Sequence, residues 1–353
     1  MNFDSDNQSG VSPRILESLV SACSGSASSY GTDDWTRRAE SALGQVFGRD
    51  VRAFFVATGT AANCLALSAV ANPWDAILCH RQAHIAIDEL SAPEFFTGGA
   101  RLLPLETDSG KITAKDLHAS LDTMPAQRPH NVRVSALSVS QATENGLVYS
   151  QAELAQLADA AHQRGIHVHM DGARFANAVA TLACEPADIT WKAGIDVLSL
   201  GASKNGALAA EAVIVFNDAL ARDFELRRKR AGQLVSKGRL FGAQFVSWLQ
   251  DDHWIEMARN ANQTAQYLWA TLKTHNEIKP TWPVEANEVF VVMKRDLLAG
   301  LKAGGVGCSG WYRRSVPQSI NMSDDELPVR FVTSWSTTHS EVDVLAELLH
   351  QLA

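Results

Sequence analysis

Ile166-His167-Val168-His169-Met170-Asp171-Gly172-Ala173-Arg174 is the stretch whose reading decides the fold of this chain. Its first five residues are strand-like, and they deliver an acid followed by two small residues and an arginine. Upstream, the segment from Ser150 places Leu154, Leu157, Ala158 and Ala161 on one helical face. Ser150 and Glu153 have the spacing of a capping box, and Gly165 stops the helix. Val132 to Val139 reads as the strand before it. Strand, helix, strand in short repeats predicts parallel strands joined by covering helices, with ligands at the carboxyl ends of the strands. The expected fold class is therefore α/β.

The pattern recurs at Val197-Leu198-Ser199-Leu200-Gly201-Ala202-Ser203, which leads into Lys204-Asn205-Gly206-Ala207. From Val197 to Phe216 the only charged residues are Lys204 and Glu211. An acid and a lysine delivered at strand ends fit pyridoxal phosphate chemistry: the lysine holds the aldehyde as a Schiff base, and the carboxylate keeps the pyridine nitrogen protonated. Taken alone, Lys204 also fits a loop lysine reaching solvent. A third piece precedes both. Phe54-Phe55-Val56-Ala57 reads as a buried strand, and Thr58-Gly59-Thr60-Ala61-Ala62-Asn63 turns it into an apolar helix. Small residues and the free N–H groups of a helix start make a phosphate cup, although Gly-Thr before a helix also serves as a plain N-cap. No Gly-x-Gly-x-x-Gly follows Phe54, which argues against a dinucleotide site.

The order Gly59-Thr60-Ala61-Ala62-Asn63, His84-Ile85, Asp171-Gly172-Ala173-Arg174 and Ser203-Lys204-Asn205-Gly206 resembles the fold-type-I pyridoxal phosphate enzymes of the threonine aldolase family, most closely the bacterial low-specificity L-threonine and phenylserine aldolase branch. The resemblance runs from Phe3-Asp4-Ser5-Asp6-Asn7 to Val329-Arg330-Phe331-Val332-Thr333. It implies a mostly parallel large domain with helices on both faces and a smaller C-terminal α+β domain. We divide these as residues 1–238, including the N-terminal segment, and residues 239–353. It further implies retro-aldol cleavage of a β-hydroxy-α-amino acid to glycine and an aldehyde.

Residue by residue, the resemblance assigns Lys204 to the Schiff base, Asp171 to the ring nitrogen and His84 to the face of the cofactor. Gly59, Thr60 and Ala61 cradle the phosphate. Arg174 binds the substrate carboxylate or the cofactor oxygen, and Ser5 and Arg330 complete the carboxylate site. Tyr30, Lys229 and Lys237 are implied to enter a neighbouring subunit's site, which makes a homodimer or homotetramer the expected assembly. Each also has a plainer reading: a core or surface histidine, a solvent-facing strand arginine, a turn at Tyr30-Gly31, a solvated basic helix face at Arg227 to Arg230.

Two positions depart from the family pattern. Gln141-Ala142-Thr143-Glu144 stands where Asn-Thr-His is usual, and Asp88 stands where an aromatic is common. Glu144 or Asp88 serves as a base, binds a different substrate side chain, or only caps a turn or helix. His84, Glu144 and an ordered water all remain open as the base. Other fold-type-I reactions (β-elimination, racemisation, transamination) and a non-catalytic cofactor-binding module are the alternatives.

Composition agrees. A chain of 353 residues with 46% hydrophobic content buries a large core, and a net charge of −8 disfavours nucleic acid as partner. Five cysteines lie scattered without paired spacing, so a reduced, cytoplasmic protein without a metal site is expected. No basic-then-apolar leader and no apolar run of about 18 residues is present, so neither secretion nor membrane insertion is expected. Beyond Arg239 we expect a helix from Ile255 to His275, strands at Val289–Met293 and Val329–Val332, and a closing helix from Glu341 to Leu352.

Overall fold

The computed structural model describes residues 1–125, 127 and 129–352. Seven strands form the main sheet: β1 (Arg52–Val56), β2 (Asp75–His80), β3 (Arg101–Leu105), β4 (Arg133–Ser140), β5 (His167–Gly172), β6 (Val197–Gly201) and β7 (Glu211–Val215), in the order β1-β7-β6-β5-β4-β2-β3. Strands β3, β2, β4, β5 and β6 are parallel, as the strand-helix-strand pattern predicts. Strand β7 is antiparallel to both of its neighbours. The connection from Gly201 to Glu211 is too short for a right-handed crossover, so the chain turns straight back. Because β7 alone is reversed, β1 runs the same way as the parallel set, and its carboxyl end opens on the same edge as those of β5 and β6.

Period-2 alternation feeds two cores. Phe54, Val56, Val197, Val213 and Val215 face the helix Gly59–Val70, while Phe55, Leu198, Leu200, Ala212 and Ile214 face the opposite layer. That layer includes the helix Gln151–His162, whose capping box is complete: Ser150 Oγ accepts from Glu153 N at 3.2 Å and Ser150 N donates to Glu153 Oε2 at 2.7 Å.

A second, antiparallel sheet comprises β8 (Lys279–Pro280), β9 (Glu288–Lys294), β10 (Ser309–Gly310) and β11 (Glu326–Val332), in the order β10-β11-β9-β8. It packs with the end of the helix His253–Leu272 and with the helix His339–Leu352 into a third core. The helix Arg239–Leu249, expected to open this second region, instead buries Phe241, Phe245 and Trp248 in the first core. Along His253–Leu272, Ile255, Met257 and Ala258 belong to the first core, and Ala265, Leu268 and Leu272 to the third. A helix of 20 residues spans about 30 Å, enough to serve both. We therefore propose a boundary inside this helix rather than at residue 239.

The N-terminal segment, grouped above with the large domain, packs first on the small one. Phe3 is buried in the small-domain core, held by Phe3 N to Gly307 O and Val332 N to Phe3 O, both 2.7 Å. The chain then crosses to the large domain, where Ser12 N donates to Gly206 O at 2.9 Å. Ser5, Asp6 and Asn7 are thereby strapped across the carboxyl edge of the main sheet.

Candidate active site

Two glycines bring the key strand ends together. A Cβ on Gly172 would lie 2.8 Å from Ser199 O, and one on Gly201 would lie 2.8 Å from the Cα of Ala173. Asp171 and Lys204 therefore leave adjacent strands on backbones in direct contact. Asp171 is buried, its Oδ1 accepting from Ala173 N at 3.0 Å and its Oδ2 from Asn63 Nδ2 at 2.8 Å. Lys204 sits on the 3-10 turn Ser203–Asn205, pinned by Asn205 Nδ2 to Trp254 O and by Trp248 Nε1 to Asn205 O. Both line a chamber of about 220 Å³, together with Thr58, Gly59, Thr60, Asn63 and His84.

The cup expected for a phosphate is built at the same edge. Thr58 Oγ1 accepts from Ala61 N at 3.1 Å, and Thr58 O accepts from Ala62 N. Among the described residues, the N–H groups of Gly59 and Thr60 have no acceptor, and a Cβ at Gly59 would meet no atom within 4 Å. Glu211, which sequence reasoning left without a role, also lines this chamber. Its Oε2 accepts from Ala202 N at 3.2 Å, and burial pushes its carboxyl up to about 7.

A second chamber of about 290 Å³ adjoins the first, sharing Asn7, His84, Glu144, Arg174 and Lys204, and is bounded by Ser5, Asp88, Glu288, Trp311, Tyr312 and Arg330. His84 Nδ1 lies 2.8 Å from Glu89 Oε1, and His84 N donates to Glu144 Oε1 at 2.8 Å. The bond to Glu89 raises the imidazole above its ordinary value against the opposing effect of burial, and Asp171 adds to the rise. Glu144 Oε1 also accepts from Ser140 Oγ at 2.7 Å. Burial, with the repulsion of Asp171, pushes Glu144 up to about 7 although the Ser140 bond opposes it. Asp88 is exposed on the wall of this chamber. It ends the short helix His84–Ile87, its N–H donating to His84 O, and Leu90 and Ser91 turn the chain just beyond at φ 48° and 58°.

Arg174 and Arg330 converge, as the resemblance implies, but not as free donors. Arg174 Nε and Nη2 bind Asp6 Oδ2 and Oδ1 at 2.7 and 3.0 Å. Glu288 stands between the guanidiniums, 3.4 Å from Arg174 Nη1 and 3.5 Å from Arg330 Nη1. The Arg330 guanidinium lies 4.0 Å from the centre of the Trp311 ring. Ser5 Oγ accepts from Asn7 N at 3.2 Å at the chamber rim. Sequence reasoning missed Asn63, Glu89, Asp6 and Glu288 as site residues; Asn63 in the cup, Asp6 beside Ser5 and Glu89 beside Asp88 lie next to named positions, and Glu288 carried no local signal.

Tyr30, Lys229 and Lys237 line neither chamber. They lie on one surface: exposed Tyr30, at φ 58°, donates its N–H to Ser236 O, and Lys229 Nζ sits 5.1 Å from the Tyr30 ring centre.

Comparison with known proteins agrees with this geometry. Residues 2–296 match the model of the beta-eliminating lyase family. A low specificity L-threonine aldolase from Pseudomonas aeruginosa is 39% identical, over 98% of this chain and 95% of its own length. An alanine racemase from Cochliobolus carbonum is 30% identical over 67% of this chain and 59% of its own. The solved structure of a threonine aldolase from Leishmania major superposes with a TM-score of 0.91 at 27% identity, covering 99% of each chain.

Proposed function

The chain belongs to the beta-eliminating lyase family, among its threonine aldolases, and from that premise we propose that it is a pyridoxal-phosphate-dependent lyase cleaving β-hydroxy-α-amino acids of the L-threonine and phenylserine type to glycine and an aldehyde. The observation that carries the reading is the meeting of Asp171 and Lys204 on touching strand ends, in a chamber that opens into an arginine-lined one.

When bound, pyridoxal phosphate supplies an electron-withdrawing ring that stabilises negative charge at the substrate α-carbon. The free N–H groups of Gly59 and Thr60, with the positive end of the helix Gly59–Val70, would hold its phosphate. The Asp171 carboxylate would face the ring nitrogen and keep it protonated, and Lys204 would be the amine that holds the aldehyde. Arg330 and the Nη1 of Arg174 orient the substrate carboxylate, with Ser5 at the rim. His84, anchored through Nδ1, has Nε2 left to take the β-hydroxyl proton. Cα–Cβ cleavage then releases the aldehyde, and a proton returned to the α-carbon gives glycine. Glu144, on the same wall, sets the local charge as it titrates.

Tyr30, Lys229 and Lys237 form the surface through which one protomer completes its partner's site, in a homodimer or homotetramer. All five cysteines are free, and no helix among the described residues is long and apolar enough to cross a membrane; we place the protein in the cytoplasm.

The test is product analysis with pyridoxal phosphate supplied and L-threonine or phenylserine as sole substrate. Glycine and acetaldehyde or benzaldehyde should appear in equal amounts. A keto acid or ammonia without glycine would assign the protein to another reaction of the family.

A further inference from the structure

Glu89 was not among the residues that motif or resemblance singled out, yet its side chain is fully buried directly behind the site. A carboxylate without exposure needs a compensating partner, and it has two. Glu89 Oε1 lies 2.8 Å from His84 Nδ1 and accepts from Asn63 Nδ2 at 2.8 Å. The same Asn63 nitrogen donates to Asp171 Oδ2, also at 2.8 Å. One amide group thus joins the carboxylate behind the imidazole to the carboxylate that pairs with the ring nitrogen, so both acids have fixed positions relative to each other.

A carboxylate facing Nδ1 selects the tautomer in which that nitrogen carries the proton, and this leaves Nε2 as the ring nitrogen able to accept another. It also favours the imidazolium once the second proton arrives. Short backbone anchors complete the arrangement: His84 N binds Glu144, and the turn after Asp88 aims Glu89 inward while Leu90 is 99% exposed. We propose that Glu89 is the positioning residue of His84, fixing its Nδ1 proton and ring plane so that Nε2 serves as the proton acceptor of the lyase reaction. This deepens the function proposed above and rests on it only for the identity of the substrate. The other charged groups near the imidazole are Asp171, Glu144 and Lys204, and all three are retained in the variants below.

Two readouts test it. In the full-length protein without cofactor, carbethoxylation of His84 by diethyl pyrocarbonate, followed across pH by peptide mass spectrometry, reports the ionisation of this ring alone. Wild type should show a midpoint above the free-histidine value of about 6.5, and Glu89→Gln, which keeps shape and an acceptor oxygen, should lower it by about one pH unit. In the loaded enzyme Glu89→Gln should lower kcat roughly 10²-fold with a smaller change in KM, and Glu89→Asp should restore part of it. The double variant His84→Asn with Glu89→Gln should be no slower than His84→Asn alone, because Glu89 acts through His84.

A wild-type midpoint at or below the free value overturns the proposal without need of any variant, as does additive loss in the double variant. If neither L-threonine nor phenylserine reacts but the His84 midpoint falls in Glu89→Gln, the positioning role stands and the substrate reading fails. If wild type is active but its His84 midpoint is unmoved in Glu89→Gln, the substrate reading stands and the positioning role fails.

Discussion

Arg174 holds Asp6 through two parallel bonds, Nε to Oδ2 at 2.7 Å and Nη2 to Oδ1 at 3.0 Å. The arginine expected to meet the substrate therefore has most of its donors engaged before substrate arrives, and only Nη1 remains on the side of Glu288. This pair ties the N-terminal strap to the end of β5, and Asn287 Nδ2 adds a bond to Asp6 at 3.0 Å from the small domain.

Loss of Asp6 should accordingly be a stability defect as well as a binding defect. Asp6→Ala leaves a buried guanidinium short of a partner, at a cost of about 3–5 kcal/mol, and should lower the urea midpoint and raise KM. Burial alone would raise the Asp6 carboxyl, but Arg174 and Lys204 outweigh it and hold the group below its ordinary value. Its contribution is therefore present above the unfolded value of about 4 and lost as pH falls below it. The gap in urea midpoint between wild type and Asp6→Asn should narrow on acidification through that range, and equal midpoints at pH 7 would refute the argument.

Lys204 should carry the covalent link to the cofactor. Borohydride treatment of the yellow loaded protein, then peptide mapping, should locate the reduced adduct on Lys204, and Lys204→Ala should yield none. An adduct on any other lysine removes the assignment.

Asp171→Asn should keep the fold, since it keeps the side chain's shape and an oxygen that accepts from Ala173 N, giving up only the bond from Asn63. It should nevertheless lower kcat by about 10²-fold or more, because the charge facing the ring nitrogen is gone. Near-normal turnover would exclude that role.

Glu144, pushed up to about 7, should contribute an ionisation to the acid limb of the pH–rate profile. It is neutral below that pH and charged above it, so wild-type activity should rise through pH 7. Glu144→Gln should remove that ionisation and leave the one due to His84. A profile of unchanged shape would show that Glu144 does not titrate in the working enzyme.

Tyr30, Lys229 and Lys237 share a surface outside both chambers of their own chain. If they complete a partner's site, mixing a Lys204→Ala chain with a Lys229→Ala, Lys237→Ala chain should restore activity through hybrids with one intact site. Hybrids that form yet stay inactive would confine the basic segment to its own chain.

What the sequence by itself determined lies in short-range pattern. The apolar runs of β5 and β6, each ended by small residues and one charge, and the complete Ser150–Glu153 cap were legible because strand period and capping act over a few residues. They placed Asp171, Lys204 and the Gly59 cup correctly at one edge. Tertiary structure alone decided the pairs that close the site. Asp6 and Arg174 are 168 positions apart, and Asn63 and Asp171 are 108 apart. Glu288 lies in an apolar strand whose pattern gives no hint of two arginines beside it. The same holds for the reversal of β7 and for the shared helix His253–Leu272, whose opposite ends enter different cores. Charge pairing and core assignment act through space, so no local spacing encodes them; they exist only once the sheet edge and the N-terminal strap have brought distant residues within a hydrogen bond of each other.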